Sequence, residues 1–139
     1  MLASFPALSY NNEKRNRMKM KTITHHYVRM EQMNHHGSLY SGVLTDWMTE
    51  AAFFGAVQVL GRRDNMVMCA VQDFRFIAPA ELGSVICFQY ELVKTGRTSL
   101  TIAVNAHNML NPEVPYAACE VVFVNTDENG KSAPHGISM

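Results

Sequence analysis

The chain has 139 residues, 47% of them hydrophobic, with twelve Lys and Arg balancing twelve Asp and Glu. That is the size of one domain, with enough apolar content for one core. A formal net charge of zero leaves no broad cationic surface. Nucleic acid is thereby excluded as the main partner, because phosphate binding needs clustered cations.

Residues 1–12 (MLASFPALSYNN) have neither a basic leader nor a long apolar stretch, so they do not read as a secretory signal. The basic run Lys14, Arg15, Arg17, Lys19 and Lys21 follows. Residues 1–20 are expected to form a flexible tail; a basic arm for a phosphate-bearing ligand is the other reading. Met18 and Met20 offer alternative starts just before the first strand. Cys69, Cys87 and Cys119 are far apart and in no C-x-x-C pair. Neither a disulfide framework nor a thiolate zinc site is indicated, and a reducing cytoplasm is the expected compartment.

Residues 22–30 (TITHHYVRM) are rich in β-branched and aromatic side chains and predict a strand. A polar loop follows, Asn34-His35-His36-Gly37-Ser38. From 43 to 60 the apolar residues fall on every side of a helical wheel, which predicts a helix buried all round. It would be about 27 Å long. Asp46 and Glu50, with Thr45 and Thr49 beside them, give its first turns a small polar patch, which excludes a membrane span. Gly61, Arg62 and Arg63 supply the glycine and cations that end a helix.

Residues 66–77 (MVMCAVQDFRFI) predict a strand, bulged near Gln72-Asp73 and stopped by Pro79. Residues 84–94 predict the next, and Thr95-Gly96-Arg97 a tight hairpin turn with Gly96 at positive φ. In the return strand, 98–108, Leu100, Ile102, Val104 and Ala106 alternate on one face. Residues 116–126 form the last strand, Asp127-Glu128-Asn129-Gly130 a polar turn, and 131–139 a tail or a short edge segment. One domain over 21–130 results. Consecutive strands with short connections are expected to pair antiparallel. The class is α+β: one long central helix wrapped by a curled antiparallel sheet of about five strands. A flat sheet cannot cover a helix that is apolar all round. A strongly curled sheet would supply the cover, and a second subunit could cover what remains.

Three motifs agree with that architecture. Asn34-His35-His36-Gly37, followed by Leu39, Gly42, Leu44 and Trp47, resembles the N-H-H-G-x-L segment and helix start of hotdog-fold acyl-CoA thioesterases. The stretch from Asp73 to Gly83 resembles their F-x-x-P-x-x-x-G strand and turn, and Gly96-Arg97-Thr98-Ser99-Leu100 their G-R-S/T-S hairpin. The resemblance implies hydrolysis of an acyl-CoA thioester without a serine or cysteine nucleophile. A carboxylate on the central helix would activate water or attack the carbonyl, and backbone N–H groups at the helix start, Ser41 and Gly42, would bind the oxyanion. It implies no metal and no cofactor beyond the CoA of the substrate, and a homodimer or dimer-based tetramer or hexamer with the acyl chain between subunits.

The chain departs from that pattern at one position. The acid of many relatives lies twelve residues after the glycine matched by Gly37, which here is Thr49, and the acid stands one step later at Glu50. Glu50 is therefore the expected base or nucleophile, in apolar surroundings that raise a carboxylate's pKa. Asp46, one turn earlier, either orients water or is a solvated acid helped by the helix dipole. Asn34 either holds water or the thioester carbonyl, or caps the turn. Thr49 either binds the attacking water or bonds back to its own helix. Adjacent histidines in an extended chain point to opposite sides, so His35 and His36 do not share a metal; His36 is expected to line the cleft. Arg97, Thr98 and Ser99 match a segment near the CoA nucleotide, and Arg62 and Arg63 are further phosphate candidates. Phe74, Phe76 and Met48 are expected in the core or acyl pocket. Two other classes fit the residues: a non-catalytic acyl-thioester binding module, favoured by Thr49, and a dehydratase of 3-hydroxyacyl thioesters using His36 with Glu50.

Overall fold

The long apolar run folds as one helix, and the segments around it as strands. The computed structural model describes residues 19–139, so the expected N-terminal tail lies almost wholly outside the described residues. The elements are β1 (Lys21–Tyr27), a 3-10 turn (Met30–Gln32), α1 (Ser41–Leu60), β2 (Met66–Phe76), β3 (Val85–Thr95), β4 (Ser99–Asn108) and β5 (Pro115–Asn125). They form one five-stranded sheet in the order β1-β3-β4-β5-β2, antiparallel throughout. This is the hotdog fold. No helix among the described residues is long and apolar enough to cross a membrane.

Only β3–β4 and β4–β5 pair as consecutive strands. The expected β2–β3 pairing is not made: β2 lies at one edge and β3 beside β1 near the other. The segment between them is short but crosses the end of the domain. Ile77 N–H still donates to Tyr116 at 2.8 Å, Ala80 accepts from Leu39 N–H at 2.9 Å, and Gly83 N–H reaches Val28 at 2.9 Å. Pro79, without an N–H, stops β2 where this crossing begins.

The buried residues of α1 are Leu44, Trp47, Met48, Ala51, Ala52, Gly55 and Ala56. Their three- and four-residue spacing makes one stripe, and it packs on Phe88, Tyr90, Ile102, Val104, Val121 and Phe123. The opposite stripe, Asp46, Glu50, Phe54 and Gln58, is exposed. The chain alone therefore does not bury the helix all round, because one sheet has one concave face. Val67, Met68, Val71 and Phe76 are also exposed, along β2.

Local devices explain several turns. Gly61 ends α1 in the left-handed region at φ 72°, as a C-terminal glycine does. β2 is bulged where expected, with the register shifting between Gln72 and Arg75 and Asp73 at φ 51°. Gly96 is not among the positive-φ residues. A Cβ there would lie 2.5 Å from Ser99 Oγ, so a larger residue would oblige that hydroxyl to turn aside. Residues 132–137 fold back as an edge segment. Ala133 N–H donates to Asn125 at 2.9 Å, and His135 Nε2 meets the Ser99 carbonyl at 2.9 Å.

The tightest helix–sheet contact is at Gly55. A Cβ there would lie 2.7 Å from Cδ2 of Tyr90 and 3.2 Å from Cγ2 of Ile102, and both residues are buried. Helix propensity alone would make Gly55→Ala about 1 kcal/mol stabilising. Overpacking a closed core costs about 1–3 kcal/mol. Gly55→Ala is therefore expected to lower stability in urea unfolding, and Gly55→Val to lower it further. A rise of about 1 kcal/mol for the alanine variant would refute this packing account.

Candidate active site

The sheet curls far enough for both of its edges to approach the outer face of α1, and they do so at Glu50. From β1, His26 Nε2 lies 3.1 Å from Glu50 Oε1. From β2, Met66 and Met68 join Asp46, Thr49, Glu50, Phe53 and Phe123 around a cavity of about 240 Å³. The expected acids thus share one cavity. Its floor is apolar and its helix side carries two carboxylates at i and i+4. Glu50 keeps 47% side-chain exposure, so the apolar enclosure expected for it is absent in the single chain. Asp46 is exposed as well.

His26 was not among the expected site residues. Its ring lies flat on Trp47, with centroids 4.4 Å apart and planes 6° apart. Phe88 meets it edge-on at 5.5 Å. The available signal was alternation: His26 and Val28 turn inward while His25 and Tyr27 are exposed. A register shift between Thr22 and Thr24 hides that period in the sequence.

The remaining candidates divide. Thr49 Oγ1 donates back to its own helix, with Thr45 O at 3.1 Å and Asp46 O at 3.0 Å as acceptors. Asn34 closes its loop: Oδ1 accepts from His36 N–H at 2.9 Å and Ser38 N–H at 3.1 Å, and Gly37 turns at φ 79°. That turn also overrides the expected divergence of the histidine pair. The loop is not extended, and the His35 and His36 rings sit 3.9 Å apart, both exposed. Among the described residues no group of three or more metal-binding side chains forms.

Ser41 and Gly42 are the first two residues of α1, and Tyr40 caps it without a side-chain bond. The Tyr40 carbonyl accepts from Val43 and Leu44 at 3.1 and 3.2 Å. No acceptor among the described residues is bonded to the Ser41 or Gly42 N–H, so two donors at the positive end of the helix face outward. A Cβ on Gly42 would lie 2.5 Å from the exposed Tyr40 ring. Glycine there lets that ring lie over the helix start.

Arg97, Thr98 and Ser99 lie at the other end of the domain. The Thr98 carbonyl accepts from Asn125 N–H at 2.7 Å, and the adjacent Thr126 N–H donates to Asn65 at 2.9 Å, beside the C-terminus of α1. Within one chain the hairpin does not meet the Asn34 loop. Arg62 is a correction. Its guanidinium donates to the carbonyls of Asp64 and Asn65 and to Asn125 Oδ1, tying the helix end to β5 instead of presenting a fork to phosphate. Met48 is fully buried, Phe74 packs against the core, and Phe76 is 52% exposed. A second cavity, about 160 Å³, surrounds Asn105 with Arg75, Glu91 and Glu120, and none of the candidate residues lines it.

The buried thiols are poor nucleophiles. Burial raises the Cys87 pKa. Burial first, and then the charge of Glu120, push Cys119 up to about 12. The thiolate is the reactive form, so neither is activated. The unfolded chain releases the Cys119 proton from about pH 9 and the folded chain only near 12, so the group's stabilising contribution is complete below about pH 9 and lost as pH rises towards 12. The unfolding midpoint is expected to fall over that window, and Cys119→Ala to flatten the fall. Equal slopes in the two proteins would contradict the assignment.

Comparison with known proteins follows the geometry. A family model described as the thioesterase superfamily matches residues 36–109. No match is found among curated proteins. Among solved structures, the chain is similar to a hexameric thioesterase from Yersinia pestis, with 20% identity and TM-score 0.75 over 85% of this chain and 97% of that one. It is similar to an acyl-CoA hydrolase from Staphylococcus aureus in complex with butyryl-CoA, CoA and CoA disulfide, with 21% identity and TM-score 0.71 over 80% and 68%. It is also similar to a hexameric hotdog-fold thioesterase of Campylobacter jejuni, with 17% identity and TM-score 0.69 over 80% and 86%.

Proposed function

The chain belongs to the thioesterase superfamily, and from that membership we propose that it hydrolyses acyl-CoA thioesters in the cytoplasm, with Glu50 as general base. The observation that carries the reading is the position of Glu50: an acid in mid-helix, at the mouth of a cavity shared with Asp46 and Thr49. The Glu50 carboxylate takes a proton from water as the oxygen attacks the thioester carbon. The oxyanion that forms is held by the outward N–H groups of Ser41 and Gly42. The carbon–sulfur bond then breaks, the proton passes from Glu50 to the departing sulfur, and the products are a carboxylic acid and free CoA. CoA enters as part of the substrate, and no further cofactor is needed.

A helix rises about 1.5 Å per residue, so Gly42 and Glu50 lie about 12 Å apart along its axis. One carbonyl needs its water and its oxyanion donors each within about 3 Å. The two groups therefore serve different carbonyls within a chain, and the active unit is a dimer in which Glu50 faces the Asn34–Gly42 segment of the second copy. The exposed apolar residues of β2 and Phe54 of α1 supply surface for that copy. The similar Yersinia pestis and Campylobacter jejuni proteins are hexamers, which favours a dimer-based assembly here. Arg97, Thr98 and Ser99 would then meet the CoA nucleotide.

Thiol release from a panel of acyl-CoAs tests the reading. Wild type is expected to turn over, and Glu50→Ala to lose about 10²–10⁴-fold in kcat. Turnover that survives in Glu50→Ala would remove Glu50 as the base. Binding of CoA esters without turnover of any chain length would favour the second reading, an acyl-thioester binding module, which the helix-bonded Thr49 hydroxyl supports.

The two-subunit site has its own test. Ser41→Pro removes one helix-start N–H, and Tyr40 at φ −62° and ψ 131° already has the backbone a residue before proline needs. Glu50→Ala and Ser41→Pro are each expected to be nearly inactive alone. A mixed dimer has one doubly altered site and one intact site, so co-assembly should restore up to about half the wild-type rate. No restoration on mixing would place both groups in one chain's site.

A further inference from the structure

We propose that His26 is the positioning residue of Glu50, holding one carboxylate oxygen so that the other is presented to water. The inference rests on Glu50 acting as the base.

Three contacts define the imidazole. Its face lies on Trp47 at 4.4 Å and 6°. Its edge meets Phe88 at 5.5 Å and 90°, and Phe88 in turn meets Trp47 edge-on. Two aromatic walls, one from α1 and one from β3, therefore fix the plane of the ring. Within that plane Nε2 lies 3.1 Å from Glu50 Oε1. Trp47 and Glu50 stand three residues apart on the helix, so both are neighbours on one stretch of its surface, and the ring bridges them from the sheet edge.

A half-exposed glutamate on a helix is otherwise mobile. Ordering such a side chain costs rotamer freedom, and a base that wanders by an ångström loses rate. A ring with no freedom of its own, donating Nε2–H to Oε1, removes that motion and leaves Oε2 for the water. The contact adds little to folding, because side-chain exposures of 26% and 47% put it with solvent-screened pairs. Its weight falls on geometry, and a kinetic readout separates the two.

The experiment uses the full chain and thiol release at saturating acyl-CoA. His26→Phe keeps a flat ring on Trp47 and removes the N–H. His26→Gln keeps an N–H donor. Trp47 is the only tryptophan, so its emission reports whether a ring still covers it. His26→Phe is expected to lose about tenfold in kcat with KM, unfolding midpoint and Trp47 emission close to wild type. His26→Gln should recover most of that loss, and adding His26→Phe to Glu50→Ala should cost nothing further.

Wild-type kcat in His26→Phe, beside a collapse in Glu50→Ala, would overturn the positioning role alone. So would equal losses in His26→Phe and His26→Gln. If His26→Phe does not fold, the comparison of His26→Gln with His26→Leu decides in the same way: equal kcat overturns the role. Full turnover in Glu50→Ala, or none in wild type, would overturn the underlying assignment of the base and this inference with it.

Discussion

A twenty-residue helix with apolar residues on nearly every side needs more cover than the one concave face a sheet has to offer. The rest of the structure follows from that mismatch. The sheet curls until β1 and β2, its two edges, flank the same stretch of helix. To bring them there, the chain after α1 lays β2 at the edge opposite β1 and crosses the end of the domain to begin β3. Gly55 lets α1 settle directly onto the Tyr90 ring, which is the close approach that such wrapping needs. What stays uncovered is a seam between the sheet edges, and Asp46, Glu50 and Phe54 lie along it.

The seam explains how chemistry and packing share one helix. Towards the sheet every third or fourth residue is apolar and buried; towards the seam the same helix carries its acids. A carboxylate on the sheet side would be an unpaired buried charge, which folding does not tolerate. On the seam it remains half in water in the single chain, and in the proposed dimer the second copy would enclose it. Under that proposal, assembly would also supply the dry environment that strengthens electrostatic catalysis.

Much of this was legible from residue types. The apolar run, Gly61 and the cations after it marked α1 to within two residues at its start, and Gln72-Asp73 marked the bulge. Strand pairing was less legible: short connections suggested β2 beside β3, and only the hydrogen bonds of Ile77, Ala80 and Gly83 reveal that the eight residues from 77 to 84 cross the domain. Gly96 has the turn glycine's usual spelling without its usual positive φ. At the candidate site, Asp46 and Glu50 stood out as acids in an apolar helix, and the family resemblance singled out Glu50. His26 did not stand out, because its partner is 24 positions away and the local register shift breaks the strand's period. Arg62 looked like a phosphate ligand until its donors were found bonded to the connector and Asn125.

The step from Thr49 to Glu50 gains a physical reason from these contacts. Thr49 is bonded down into the helix backbone and only borders the cavity. One residue later the side chain turns by about 100° and meets the β1 edge, where Trp47 and Phe88 hold an imidazole ready to receive it. Without His26, an acid at 50 would be a solvated glutamate, 47% exposed and with no ring beside it. The helix position of the acid and the histidine on the facing strand therefore make one unit, and the curl of the sheet, set by the need to cover α1, is what brings its halves within hydrogen-bonding distance.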